Sequence, residues 1–397
     1  MTPPELDNNH PRLILHNFIS THLCKELEFI HKSCSTIGYR PNVFSTTLSH
    51  LIATNSAHLI LPFVPIRERL KEKVEEFFGC EYELFIEFTG LISWTKGASI
   101  GWHSDDNRSY LKQRDFAAVC YLNSHGKDFE GGLFHFQDGE PATFAPMAGD
   151  VLIYTADSRN VHSVDEITNG ERLTLTLWFS KDSSYDEDAK LISLVSQGLS
   201  SSLDDDPVSY LPFPAPSSMY WFCSEHDSHQ SGFDICWARV HILGYSYCFL
   251  EDKICQVERD SSCHLSELLM NPLWLTRDGE IFNKEFVNSL HALQVVQFYR
   301  WKKFELHAIN LRMEDKNVKL QTEGNAILRS VPLGDYELAR KVFQSVCSDE
   351  HTQSIFDWAH FSAALVAWEK YTRQLRKELC SNLPCWQTYQ SIFHVSA

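Results

Sequence analysis

Apolar and polar positions change their rhythm several times along this chain. Arg12-Leu13-Ile14-Leu15 reads as a short strand, and after Asn17-Phe18-Ile19-Ser20 the residues 24–34 place Leu27, Ile30 and His31 at helical spacing. A second amphipathic helix is predicted over 66–78, rich in charge and closed by Gly79, a residue type that accepts a left-handed helix end. Its basic run at 67–73, and another at 300–303, read as exposed helix faces. From 83 to 180 the texture becomes short runs of period two broken by Gly, Pro, Asn and Asp. Strands are predicted at 84–88, 116–122, 132–136, 150–154 and 173–179, a rhythm that fits a β-sandwich or barrel.

Residues 183–217, with Ser200 to Ser202, Asp204 to Asp206 and prolines at 207, 212, 214 and 216, read as an acidic, then proline-rich connector. The region 218–397 is mixed and then helical. Ile355, Trp358, Phe361, Leu365, Trp368, Leu375 and Leu379 form one apolar stripe, a core or docking face, with Ser354 and Asp357 as a capping-box-like start. Its tryptophans at 221, 237, 274, 301, 358, 368 and 386 read mainly as core.

With 397 residues and 43% hydrophobic content the chain has material for two or three domains and a sizeable core. A formal net charge of −17 argues against a surface that coats nucleic acid. The N-terminal Met1-Thr2-Pro3-Pro4-Glu5 lacks the basic and apolar blocks of a signal peptide. No stretch reaches the roughly 18–20 apolar residues of a membrane span, so a cytoplasmic or nuclear protein is expected. The 12 cysteines are scattered without a C-x-x-C pair and read as free thiols. Cys248, Cys255, Cys263 and His264 come nearest to a zinc cluster, but their spacing fits no common zinc site.

The candidate chemistry lies in the β-rich segment. His103 and Asp105 form the H-x-D of Gly101-Trp102-His103-Ser104-Asp105; His162 follows just after the strand at 150–154 and its loop, and Arg172 opens the strand at 173–179. Two imidazoles and one carboxylate on one face of an octahedral metal leave three positions open, the arrangement of non-heme iron(II) oxygenases. A guanidinium beyond the second histidine can grip the far carboxylate of a co-substrate through two hydrogen bonds. On a strand, residues two apart share a side, so His103 and Asp105 can reach one metal from a strand end while Ser104 faces away. Asp106 is the alternative carboxylate, on the opposite face; His125 and His135 are the alternative histidines. Arg172, Thr174 and Thr176 share one strand face and Leu173, Leu175 and Leu177 the other. A charged head followed by small hydroxyls suits an interior that admits a dicarboxylate.

Residues from about 12 to 180 resemble the catalytic domain of the prolyl 4-hydroxylase-like family of iron(II)- and 2-oxoglutarate-dependent dioxygenases. The resemblance is carried by Leu13-Ile14-Leu15-His16-Asn17-Phe18-Ile19, by Tyr121-Leu122-Asn123 with Glu130-Gly131-Gly132-Leu133-Phe134, by Pro146 and Gly149 to Tyr154, and by His162-Ser163-Val164 with Gly170-Glu171-Arg172. It implies an α+β fold: a double-stranded β-helix (jelly roll) catalytic domain at 1–182, its core at about 83–180, with flanking helices, joined by the 183–217 linker to the mixed, largely helical region 218–397. It implies His103, Asp105 and His162 as iron ligands, and Arg172 with the Tyr121 hydroxyl on the distal carboxylate of 2-oxoglutarate. Where members often carry a tyrosine upstream of the first ligand, this chain has Trp94, which offers one donor and no acceptor. Trp102 either walls the substrate mouth or packs, and Thr174 lines the co-substrate side.

The activity implied is hydroxylation of a C–H bond, on a peptidyl and first of all a prolyl residue, giving succinate and carbon dioxide with iron(II), 2-oxoglutarate and L-ascorbate. The partner expected is a protein or peptide substrate, neither membrane nor nucleic acid; oligomeric state is not legible. Two readings of another class stand beside it: a catalytically silent metal-binding scaffold acting through 218–397 in protein–protein interaction, and a cupin-like protein holding another metal.

Overall fold

The fold is given by a computed structural model, which describes residues 9–33, 37–40, 42–53, 56–79, 83–84, 89–200, 294, 297, 298, 301, 302 and 358–392. The cysteines and histidine at 248–264, the proline-rich part of the connector and the start of the C-terminal stripe lie outside them. The chain divides into two compact units; the first, formed by residues 1–31, 36–209 and 375–397, holds the candidate site.

In that unit β1 (Arg12–Leu15) and α1 (Thr21–Ser33) are followed by β2 (Ile37–Arg40), β3 (Val43–Thr47), α2 (Leu48–Ala53) and α3 (Val64–Phe78). Then come β4 (Glu83–Leu84), β5 (Gly90–Thr95), β6 (Ile100–His103), β7 (Phe116–Tyr121), β8 (Phe129–Gly131), β9 (Phe134–Phe136) and β10 (Thr143–Phe144). The last strands are β11 (Val151–Thr155), β12 (His162–Val164) and β13 (Ile167–Ser180), ahead of helix α4 (Asp188–Ser200). All described ladders between these strands are antiparallel. They make a major sheet in the order β1-β11-β7-β13-β5-β3-β2, with β4 and β8 also on β13, and a minor sheet in the order β10-β9-β12-β6. The two sheets enclose one core, as the jelly roll requires. Ala117, Val119 and Tyr121 of β7 and Leu152 and Tyr154 of β11 pack with Phe134, Phe136, Phe144 and Val164 of the minor sheet. Each large apolar side chain removed from water this way contributes about 1.5–3 kcal/mol.

Register fixes which residues look into that core. Thr174 pairs with Tyr121 and Arg172 with Trp94, so the even positions of β13 share the inner face with both aromatics. The odd positions Leu173, Leu175, Leu177 and Phe179 are buried on the opposite face, as their alternation predicts. On that side Phe78 of α3 lies 3.8 Å from Phe116 of β7 between ring centroids, and Cys24 of α1 points its thiol at the Tyr121 carbonyl, 3.9 Å away.

Two expectations change. Arg67 is not on an exposed helix face: it is fully buried, its Nη2 2.7 Å from Asp188 Oδ1. Its partner sits at the start of α4, where a connector was expected. Leu191, Ile192 and Val195 give that segment a buried apolar stripe, and the acidic and proline-rich residues that prompted the connector reading begin only beyond it. Farther on, helix α5 (Trp358–Tyr389) bears out the predicted stripe at Trp368, Leu375 and Leu379, all buried. Its residues from 375 onward belong to the first unit. There Gln387 donates to Ser196 Oγ at 2.8 Å, and the Ile392 N–H donates to Asp188 Oδ2 at 3.2 Å. Among the described residues no helix is long and apolar enough to cross a membrane.

Candidate active site

His103 closes β6 and His162 opens β12, and the two are direct partners across the minor sheet. Their ring centroids are 4.3 Å apart. Each Nδ1 faces a backbone carbonyl: Gly101 O at 2.8 Å from His103 and Asn160 O at 2.9 Å from His162. A carbonyl only accepts, so both Nδ1 atoms carry the proton and both Nε2 lone pairs are left for a ligand. Asp105 lies beyond the strand end, in a turn, so the convergence comes from that turn and not from strand alternation. The Asp106 N–H donates to Ala156 O at 3.0 Å and pins the turn to the end of β11. Asp105 Oδ1 then lies 3.8 Å from His103 Nε2 and 3.7 Å from His162 Nε2. Among the described residues this is the group of three able to hold a metal ion, with donor atoms within 4.8 Å of one another. Burial rises from 17% side-chain exposure at His103 to 4% at His162, so the site opens on the His103 side. Burial also holds the His162 imidazole below its usual range and keeps it in the neutral form a metal needs.

The alternatives do not converge. Asp106 accepts from Ser104 Oγ at 2.8 Å and from Lys112 Nζ at 2.6 Å. His135 bridges Thr143 and Asp165, and His125 packs edge-on against Phe129.

Deeper between the sheets, Arg172 is buried, its guanidinium carbon 5.0 Å from the Tyr121 ring and 5.5 Å from the Trp94 ring. Nη2 donates to the Tyr121 hydroxyl at 3.2 Å, whereas the buried Nε has no partner. Thr174 is buried on the same face, its hydroxyl 3.5 Å from Ile92 O. Burial raises the Tyr121 phenol above its usual value, Arg172 opposing, so it stays a protonated donor. A buried guanidinium with an unused N–H is costly; a carboxylate arriving here would use it. Asn123 explains why the Y-L-N stretch belongs to this pocket: its carboxamide donates to Glu171 O at 2.6 Å and accepts from Leu173 N–H at 3.0 Å, clamping the backbone on both sides of Arg172. Gly132 clears the space beside it. With φ +61° and a Cβ that would collide with Ile167 and crowd Arg172 Cδ at 3.3 Å, only glycine fits. Trp102 does not pack: it is 57% exposed beside His103.

Three contributors escaped the sequence reading. Tyr154 donates to Asp105 Oδ2 at 3.1 Å, Trp178 Nε1 donates to the same oxygen at 3.3 Å, and Arg114 donates to the Asp105 carbonyl at 3.2 Å. Alternation would have found Trp178, which continues the face of Arg172, Thr174 and Thr176. Arg114 sits in the 106–115 loop, where with Arg108 and Lys112 it reads as a solvated charge or a contact to an acidic partner; instead it is buried on the Asp105 carbonyl.

Fold and donor set define a site able to hold one metal ion beside a buried arginine with an unused N–H. Residues 89–180 match the 2OG-Fe(II) oxygenase superfamily. Relatives include prolyl 3-hydroxylase 1 of Gallus gallus, 25% identical over 224 residues, 45% of this chain and 30% of that protein. Prolyl 3-hydroxylase 2 of the same species is 28% identical over 227 residues, 45% and 31%. The chain thus spans about a third of the length of these relatives. A solved Pseudomonas putida prolyl-4-hydroxylase aligns with TM-score 0.36 at 17% identity, over 44% of this chain and 94% of that one.

Proposed function

We propose that this protein is a 2-oxoglutarate-dependent dioxygenase that hydroxylates a C–H bond of a peptidyl residue, prolyl first. One observation carries the reading: His103, Asp105 and His162 present three donor atoms to one point, beside an arginine buried with an unused N–H. The relatives, named as prolyl hydroxylases, support the substrate class. When bound, iron(II) and 2-oxoglutarate supply the oxidising chemistry: one oxygen atom of dioxygen goes to succinate as carbon dioxide leaves, and the other to the hydroxylated product.

The chain's own residues bind, orient and exclude water. The two Nδ1–H···O=C bonds fix both imidazoles, and Arg172 with the Tyr121 hydroxyl receives the distal carboxylate. Trp94 and Thr174 close that pocket. The exposed side at His103, where Trp102 stands free, admits the substrate. L-Ascorbate would serve to return iron to the ferrous state after turnover without substrate. Both the scaffold and the cupin reading would leave Arg172 without a task, and its burial without a carboxylate partner speaks against them.

The test is succinate release and oxygen consumption by the purified full chain with iron(II), 2-oxoglutarate and ascorbate, with and without prolyl peptides. Turnover is expected from the wild type, with a loss of at least ~100-fold in His162→Ala and Arg172→Ala. Equal rates in wild type and both variants would overturn the proposal.

A further inference from the structure

Asp105 raises a question that its position alone does not answer. A carboxylate turns easily about its last torsion and can give a metal one oxygen or two. Two would take up a position that the chemistry needs open. Here the choice is built in. Oδ1 faces both imidazole Nε2 atoms, while Oδ2 receives the Tyr154 hydroxyl at 3.1 Å and the Trp178 indole N–H at 3.3 Å. Trp178 can only donate. The Tyr154 hydroxyl faces a carboxylate oxygen that can only accept, so it too donates.

Both donors are anchored. The Tyr154 ring packs on Phe134 and His162, with centroids 5.6 and 4.9 Å away. Arg114 lies over the Trp178 ring at 4.2 Å, and the same guanidinium holds the Asp105 carbonyl, tying ring and turn together. The hydroxyl also comes within 3.4 Å of His162 Nε2, a longer contact than the one it makes with the carboxylate.

We infer that Tyr154 and Trp178 are positioning residues for metal capture, which occupy Oδ2 of Asp105 so that the carboxylate offers one oxygen only. The inference rests on the proposed metal site and adds to it the two groups that set the carboxylate's orientation. Both act through Asp105, whose Oδ2 they hold.

The test is binding of Co(II) to the full chain, followed by calorimetry and by the visible absorption of the bound ion, in the absence of turnover. Tyr154→Phe removes one donor and little volume; Trp178→Phe removes the other donor together with part of the indole ring on which Arg114 lies. Each is expected to weaken Co(II) binding roughly 10- to 100-fold, the range for lost partners of a metal ligand, and to change the absorption band. His135→Ala, whose partners lie away from the site, should bind as the wild type does. Melting of the metal-free variants separates this from a loss of folding, and if one variant does not fold the other decides. Unchanged affinity and band in the folded variants, with His162→Ala impaired, would overturn this inference alone. Wild-type affinity in His162→Ala would overturn the metal site and the inference with it.

Discussion

At the scale of single residues, Arg172 shows how burial and purpose are linked. Its guanidinium lies near two aromatic rings, and its backbone is clamped on both sides by Asn123. Arg172→Lys would retain charge but lose the planar fork. We expect 2-oxoglutarate affinity, measured by calorimetry, to fall at least ~10-fold while Co(II) affinity stays unchanged. Gly132→Ala forces a side chain into a left-handed backbone position and against Ile167. A loss of about 1–3 kcal/mol in urea unfolding is expected, with weaker 2-oxoglutarate binding because Arg172 is displaced. The ligands and Arg172 were legible in the sequence because an H-x-D, a later histidine and an arginine beyond it recur in a β-rich segment, although Asp105 lies in a turn and Arg172 inside β13. The donors on Asp105 were not, since a hydroxyl and an indole inside apolar strands read as packing.

At the scale of elements, β7, β9, β11, the latter part of β13 and helix α3 follow from periodicity and turn residues, whereas the short strands β8, β10 and β12 gave no period of their own. Helix α4 did not: thirteen residues bounded by Asp and Ser clusters resemble a connector until Arg67 is seen to need Asp188. That pair is fully desolvated, and Asp188 also accepts the Ile392 N–H. Removing one partner strands a buried charge. Asp188→Ala should therefore cost about 3–5 kcal/mol, whereas replacing both residues by apolar ones of similar volume should restore most of it. Chemical denaturation of the two variants separates these outcomes.

At the scale of the molecule, the unit carrying the site is discontinuous in sequence, because residues 375–392 complete it. Trp386 and Ile392 are buried there, Trp386 completely. Trp386→Ala should cost about 3–5 kcal/mol, and a chain ended at 374 should lose cooperative melting even though every proposed ligand is retained. No run of sequence reveals such a closure, since the pairing of α4 with a helix so distant depends on shape alone. The thiols report the same packing: burial pushes Cys24 up to about 11, and Cys120 is fully enclosed, whereas Cys380 is exposed. Peptide-resolved alkylation of the native protein should mark Cys380 well before either of the other two. Discontinuity also sets an order of events during synthesis. The oxygenase strands leave the ribosome first, but the segment that seals them arrives only after the stretch from 200 to 375 has been translated, on the order of ten seconds or more at roughly 5–20 residues per second. For that interval Ser196 and Asp188 of α4 lack the partners that they take from Gln387 and Ile392 in the finished chain.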